Sequence, residues 1–221
     1  MDDFITYYLA DLHKNLTELV VVCNGKLSAQ GRAAFEQFTD TIIVRENKGL
    51  DVWAYKTALD FYGWEKLSEY DEIVMTNSTL MGPVRPLQEM FEAMWENQDL
   101  DFWGLSLHHG AKSNPFKGKH LYNYLPVHIQ SHFIVYRKRF VQNPELQAYW
   151  DTMPMIESYT DSVQRYEAVF TKQFGDKGFK WDVYVKTDDL KEFTDYPLLV
   201  CPTLLLREKK LPAFQAPQLY A

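Results

Sequence analysis

The stretch from Tyr159 to Lys172, YTDSVQRYEAVFTK, carries two carboxylates six residues apart, Asp161 and Glu167. On a predicted helix that spacing sets them roughly two-thirds of a circle apart, so at most one points into a cleft. Asp161 lies near the helix start, where the helix dipole favours a negative charge and gives it a structural reason to be there. Glu167 has no such reason, lying between Tyr166 and the apolar run Ala168-Val169-Phe170. A carboxylate so placed is the candidate general base, able to take a proton from an attacking hydroxyl. A solvated helix acid is the competing reading.

Two polar loops offer groups that could hold a phosphorylated ligand. Arg45 to Asp51 reads RENKGLD and joins a predicted strand to a predicted helix. Arg45 or Lys48 could pair with phosphate oxygens. Asn47 or Asp51 could accept hydrogen bonds from a base or ribose, and Gly49 supplies flexibility. The alternative is a solvated loop with Asp51 capping the next helix. Asn77 to Pro83, NSTLMGP, follows an apolar strand, so Asn77 and Ser78 crowd a strand end, and Gly82-Pro83 forces a turn. No acid occurs between Glu72 and Glu89. A divalent cation wants carboxylates, which counts against a metal held by this loop, although Mg2+ or Mn2+ could accompany a donor diphosphate.

Further candidates lie in DFWG, where Asp101 and Trp103 could meet a sugar, and in HIQSHF, where Gln130, Ser131 and His132 sit at a strand edge. Five of the six histidines fall between 108 and 132. Their spacing matches no standard zinc signature; some of them could bind a sugar or phosphate, and His108 and His109 read as part of a surface loop.

These residues need a frame. Helical spacing is expected over 3–17, 28–38, 52–62, 86–96, 143–150 and 160–175, and strands over 19–23, 41–45, 72–76, 102–107, 132–136 and 180–185. Short alternation of strand and helix implies crossover units, hence an α/β fold: a single Rossmann-like domain over 1–221 with a mostly parallel central sheet flanked by helices. In such sheets ligands bind beyond the carboxyl ends of the strands. That rule selects four segments: Asn24-Gly25, the RENKGLD loop, the NSTLMGP loop and the region after Gly104. The segment from Gly110 to His120 reads as a surface loop, and the proline-bearing tail after Lys191 is expected to wrap the surface.

The chain has 221 residues, 46% hydrophobic and 15% aromatic, enough for one sizeable core. A net charge of -7 excludes a general nucleic-acid surface. Cys23 and Cys201 sit in apolar runs and read as buried free thiols of a reducing compartment. No basic, cleavable leader opens the sequence and no apolar run approaches the ~20 residues that cross a bilayer. The expected location is therefore cytoplasmic, with any membrane contact peripheral at the inner face.

In their order and spacing, RENKGLD, YDEIVMTNSTLMGP, DFWGL, IQSHFIVYRK and YEAVFTKQFGDKGF resemble the rhamnan synthesis protein F family, over most of the chain from VVVCNG to LPAF. The resemblance implies a GT-A-type glycosyltransferase fold and a TDP-linked rhamnose donor. It implies a polysaccharide or lipid-linked glycan acceptor and inverting transfer with Glu167 as base. Arg45 and Asp51 then resemble the nucleotide-contacting loop, joined by Asn24, Asn77 and Ser78. Two departures stand out. Ser78 occupies a position where the family often has Asp. The family's usual further strand, ahead of the helix at 3–17, packed in the sheet's centre and helping to hold the base, is absent. A truncated form or a weakened donor site follows from the second departure. The alternative function is a non-catalytic carbohydrate-binding or scaffold domain in polysaccharide assembly.

Overall fold

The computed structural model describes residues 3–116 and 121–215. His120 and the last part of the 110–120 loop therefore lie outside the described residues. In chain order the main elements are α1 (Asp3–Leu12), β1 (Val21–Asn24), α2 (Ala29–Phe35), β2 (Ile42–Arg45), α3 (Leu50–Leu67), β3 (Glu72–Thr76), β4 (Leu80–Met81), α4 (Leu87–Trp95), β5 (Phe102–Gly104) and β6 (Leu107–His108). There follow β7 (His128–Ile129), β8 (Phe133–Arg137), α5 (Lys138–Val141), α6 (Pro144–Asp151), α7 (Tyr159–Ser162), a π-helical turn (Val163–Glu167), α8 (Ala168–Asp176), β9 (Trp181–Val183), α9 (Pro197–Val200), α10 (Pro202–Glu208) and β10 (Phe214–Gln215). The early elements start where the sequence says they should: Ser28 caps α2 by accepting from Gly31 N at 3.0 Å, and Asn143 caps α6 ahead of Pro144.

The fold is mixed α/β, but its sheet is not mostly parallel. The four-stranded sheet runs β3-β8-β5-β9. β8 is antiparallel to both neighbours, and only β5 and β9 pair parallel. A separate parallel pair is formed by β1 and β2. The reason is local. Parallel neighbours need a crossover, usually a helix, which α2 provides between β1 and β2. Residues 105–132 between β5 and β8 contain no helix among the described residues, so the chain turns back and pairs antiparallel.

Side chains alternate across the sheet as the pleat requires. Phe102, Ile134 and Tyr136 enter a ring-rich core with Tyr55, Phe140, Phe170 and Phe174. Trp103, Phe133 and Val135 enter a second core with Tyr8, Leu12, Met90 and Leu205. The tail does not merely wrap the surface. Pro197 and Pro202 open two short helices, Leu198, Leu205, Leu211 and Ala213 are buried, and β10 pairs with β4. Both cysteines are free and half-buried rather than enclosed.

Candidate functional site

The carboxyl ends of β1 and β3 meet the amino end of α3. Two consecutive residues there, Gly49 (φ 77°) and Leu50 (φ 55°), are left-handed. For a residue with a branched side chain this is a strained conformation, held only where the surroundings over-determine it. They do so here: Asn24 Nδ2 donates to Leu50 O at 3.0 Å. Arg45 Nη1 donates to Asn24 Oδ1 at 2.5 Å and its Nη2 donates to Lys48 O at 2.6 Å. Gly49 cannot be enlarged, since a Cβ would come within 2.3 Å of the Trp53 ring. Gly49, not Asp51, is the cap residue of α3.

Asp51 lies in the first turn of α3. Its Oδ2 accepts from Asn77 Nδ2 at 2.8 Å, and Asn77 Oδ1 accepts from Thr79 N and Thr79 Oγ1 at 3.1 and 2.6 Å. Burial pushes the Asp51 carboxyl above its ordinary range, the Asn77 hydrogen bond pulls it down, and the negative charge of Glu167 pushes it up again. Asp51 and Glu167 thus share one electrostatic environment, although 116 residues separate them in the chain.

Glu167 closes the π-helical turn between α7 and α8. Such turns are rare and recur at functional sites. Its Oε2 accepts from Ser131 N at 2.9 Å and from Ser131 Oγ at 2.5 Å, while Tyr55 Oη donates to Ser131 O at 3.1 Å. Oε1 lies 3.9 Å from His128 Nε2. That contact is not an ion pair near neutrality. Burial holds the His128 imidazole down at about 4, and its Nδ1 is 2.7 Å from Pro126 O, which makes Nδ1 the donor and leaves Nε2 a lone pair. Glu167 therefore has one oxygen fixed by Ser131 and the other free of a donor from His128. His108 stacks on His128 with ring centroids 5.1 Å apart, and Tyr196 lies 5.3 Å from His108.

The structure brings Asn24, Arg45, Gly49, Asp51 and Asn77 together at one end of the strands, and Ser131 to Glu167. Asn47 and Ser78 are exposed beside the first group. Four sequence candidates are placed elsewhere. Trp103 is fully enclosed, its Nε1 donating to Glu72 Oε1 at 2.9 Å, so it has no face for a sugar. Asp101 precedes β5, at the amino rather than the carboxyl end of the strand, and binds Arg139 Nε and Lys180 N, each at 2.7 Å. Gln130 is buried and accepts from Ser106 Oγ at 2.9 Å, and His132 is buried. His109 is not a surface residue either: it is 7% exposed and its Nε2 lies 2.9 Å from Thr187 O. Tyr55, Tyr196 and the stacking role of His108 had no sequence signal.

The buried imidazoles make a stability prediction. Burial holds His108, His128 and His132 each down at about 4. An unfolded histidine titrates near 6.5. Between pH 6.5 and 4 the unfolded chain therefore binds protons that the folded chain refuses, and stability is lost as pH falls through that window. The melting temperature should be nearly flat from pH 8 to 7 and fall steeply from 6.5 to 4. His132→Leu, which removes an Nε2 with no partner, should flatten the acid limb without lowering stability at pH 7.5. An unchanged limb in that variant would assign it to other groups.

At the end of β3 the polar side chains gathered are one carboxylate, Asp51, the Asn77 amide and the Thr79 and Ser78 hydroxyls. That set does not suit a hard divalent cation, and among the described residues no three His, Cys, Asp or Glu side chains gather as metal ligands. No described helix is long and apolar enough to cross a membrane.

Comparison with known proteins gives one family: the model for rhamnan synthesis protein F matches residues 19–220. No curated protein sequence matches the chain. Similar solved structures include a CMP:2-keto-3-deoxy-manno-octonic acid synthetase complexed with CTP, at 13% identity and a TM-score of 0.40, over 81% of this chain and 78% of that one. Another is a cytidylyltransferase from Leptospira borgpetersenii serovar Hardjo-bovis (strain JB197), at 12% identity and a TM-score of 0.40, over 90% of this chain and 75% of that one.

Proposed function

The chain belongs to the rhamnan synthesis protein F family, and from that premise we propose that it is an inverting glycosyltransferase taking rhamnose from a TDP-linked donor to a polysaccharide or lipid-linked glycan at the cytoplasmic face of the membrane. The observation that carries the reading is Glu167: a partly buried carboxylate, anchored through one oxygen by Ser131, in the same electrostatic environment as Asp51 at the carboxyl ends of the strands.

In this reading Asn24, Arg45 and the strained Gly49-Leu50 turn shape the nucleotide end, and Asp51 with Asn77 holds the ribose or the sugar. Exposed Asn47 and Ser78 border the same end. The acceptor hydroxyl donates to Glu167 Oε1. As the acceptor oxygen forms its bond to the sugar's anomeric carbon, Glu167 takes the proton. The bond from that carbon to the diphosphate oxygen breaks on the opposite face, and TDP leaves with the electron pair. Neutral His128 matters because a charged imidazolium there would pair with the base and blunt it. No step is assigned to a metal ion; Mg2+ or Mn2+ would enter only with the donor diphosphate.

The test is calorimetric titration of the chain with TDP and then TDP-rhamnose, with and without magnesium. Binding is expected, and the comparison with and without magnesium reads whether a divalent cation accompanies the diphosphate. Asp51→Ala, which removes a charge-assisted contact, should weaken it by roughly tenfold or more. A folded chain that binds neither ligand would sink the donor reading and leave the scaffold role; full affinity in Asp51→Ala would return that loop to a structural part.

A further inference from the structure

Glu167 is met by groups from several parts of the chain. Ser131, in the turn before β8, holds its Oε2. β6 and β7 pair antiparallel with His108 directly opposite His128, so the two imidazoles stand on one face of the ladder. Their rings are nearly parallel, tilted by 8°, with centroids 5.1 Å apart, and Tyr196, which precedes α9, lies 5.3 Å from His108. Burial first, and the charge of Glu167 after it, push the Tyr196 phenol above its ordinary value. His108, Ser131, Glu167 and Tyr196 are half-buried, whereas His128 is 2% exposed. The first four edge a recess, and His128 is its floor.

The backbone fixes both tautomers. Gly110 N donates to His108 Nδ1 at 2.9 Å, which leaves His108 Nε2 as the protonated nitrogen. Gly110 has φ 78°, and a Cβ there would come within 2.5 Å of Leu125 O, so that amide has one place to be. His128 is the reverse: Nδ1 donates to Pro126 O and Nε2 keeps its lone pair. That lone pair lies 3.9 Å from Glu167 Oε1. Two acceptors thus stand side by side, and among the described residues neither receives a hydrogen bond. Polar atoms set this deep call for donors. One hydroxyl carries one proton and serves one of the two; a pair of neighbouring hydroxyls serves both.

We propose that this pair selects an acceptor sugar with a vicinal diol: the attacking hydroxyl donates to Glu167 Oε1, and the hydroxyl on the next carbon donates to His128 Nε2. His128 is then a specificity-determining residue. The inference rests on the transfer reading and adds the class of acceptor to it. The second hydroxyl keeps its proton throughout, and only the first gives one up to Glu167. An acceptor lacking the second hydroxyl leaves His128 Nε2 without a donor once the sugar covers it, and a site built to pair a hydroxyl rejects the analogue without it. A neutral imidazole suits this task, because it accepts a hydrogen bond without bringing a charge beside the base. His108 covers the other face of the ring and keeps it from tilting away from Glu167.

The experiment follows TDP-rhamnose in two reactions. One is release of free rhamnose to water, which needs only the donor site and the base. The other is transfer to methyl α-L-rhamnopyranoside and to its analogues lacking one hydroxyl each, with the attacked hydroxyl identified by NMR of the product. Removing a neighbour of that hydroxyl should lower kcat/KM about tenfold or more, a comparison that needs no variant to fold. His128→Asn keeps a donor for Pro126 O but has no acceptor where Nε2 stood. It should lower transfer to the intact sugar about tenfold and bring the deoxy analogue within about threefold of it. His128→Gln, whose carbonyl reaches the Nε2 position, should restore part of the preference. Release to water with no preference for the diol, or a full preference in His128→Asn, would overturn the inference and leave the transfer reading standing. Neither release nor transfer by the parent chain would sink both.

Discussion

Glu167→Gln is expected to lower turnover for sugar transfer by about 10²–10⁴-fold, the range a positioned general base supplies, while donor affinity and melting temperature stay near those of the parent. The geometry sets both halves of this expectation. A glutamine oxygen can still accept from Ser131 N, so the π-helical turn keeps its anchor. The free position opposite His128 loses its ability to hold a proton, and His128 cannot substitute, since burial leaves it a weak base held by Pro126. Single-turnover transfer from TDP-rhamnose to a glycan acceptor, beside calorimetry on the same sample, separates chemistry from binding. Turnover within threefold of the parent would move the base elsewhere. Asp161 would not be the first choice, because its carboxylate is tied to Arg165 Nε at 2.5 Å and to Glu157 N at 3.1 Å.

Phe102→Ala is expected to destabilise the fold by about 3–5 kcal/mol, the usual cost of emptying a phenylalanine site in a core. Phe102 has no exposed surface. Its ring stacks on Phe140 at 5.1 Å and meets Phe170 and Phe174 edge-on at 5.3 and 6.4 Å. The hole cannot collapse easily, because those neighbours are themselves locked by further rings, with Phe170 and Phe174 4.8 Å apart. Urea unfolding at pH 7.5, where the buried histidines are neutral in both states, gives the difference free of proton linkage. A loss below about 1 kcal/mol would mean the ring cluster repacks, contrary to this picture.

Much of the local structure was legible because it depends on neighbours in sequence. Ser28 as a cap, the strand at 72–76 and the helices at 86–96 and 143–150 follow from spacing and punctuation alone. The sheet's hand was not legible, because the direction of β8 depends on what lies between 105 and 132, where no helical period exists to be read. Trp103 looked exposed to ligands beside Asp101 and Gly104. Alternation across β5 instead sends Phe102 and Trp103 to opposite cores, and no rule from the four residues DFWG says that both faces are covered. Glu167 was singled out for having no structural excuse, whereas its partner Ser131, 36 residues earlier, carried only the polarity of a strand start. The buried histidines show the same limit: a histidine-rich stretch reads as a loop until packing encloses it.

The π-helical turn at Val163–Glu167 also bears on how such a site could arise. An α-helix advances about 100° per residue, and a π turn absorbs one extra residue without breaking the rod. Everything downstream of it is rotated relative to everything upstream. A one-residue insertion in an ancestral helix would thus have re-aimed the Glu167 position while the packing of α8 against the sheet stayed in register. Removing one residue from the turn is the reverse operation. It would restore an ordinary helix and swing the carboxylate away from Ser131, so a single-codon change in length decides where Glu167 points.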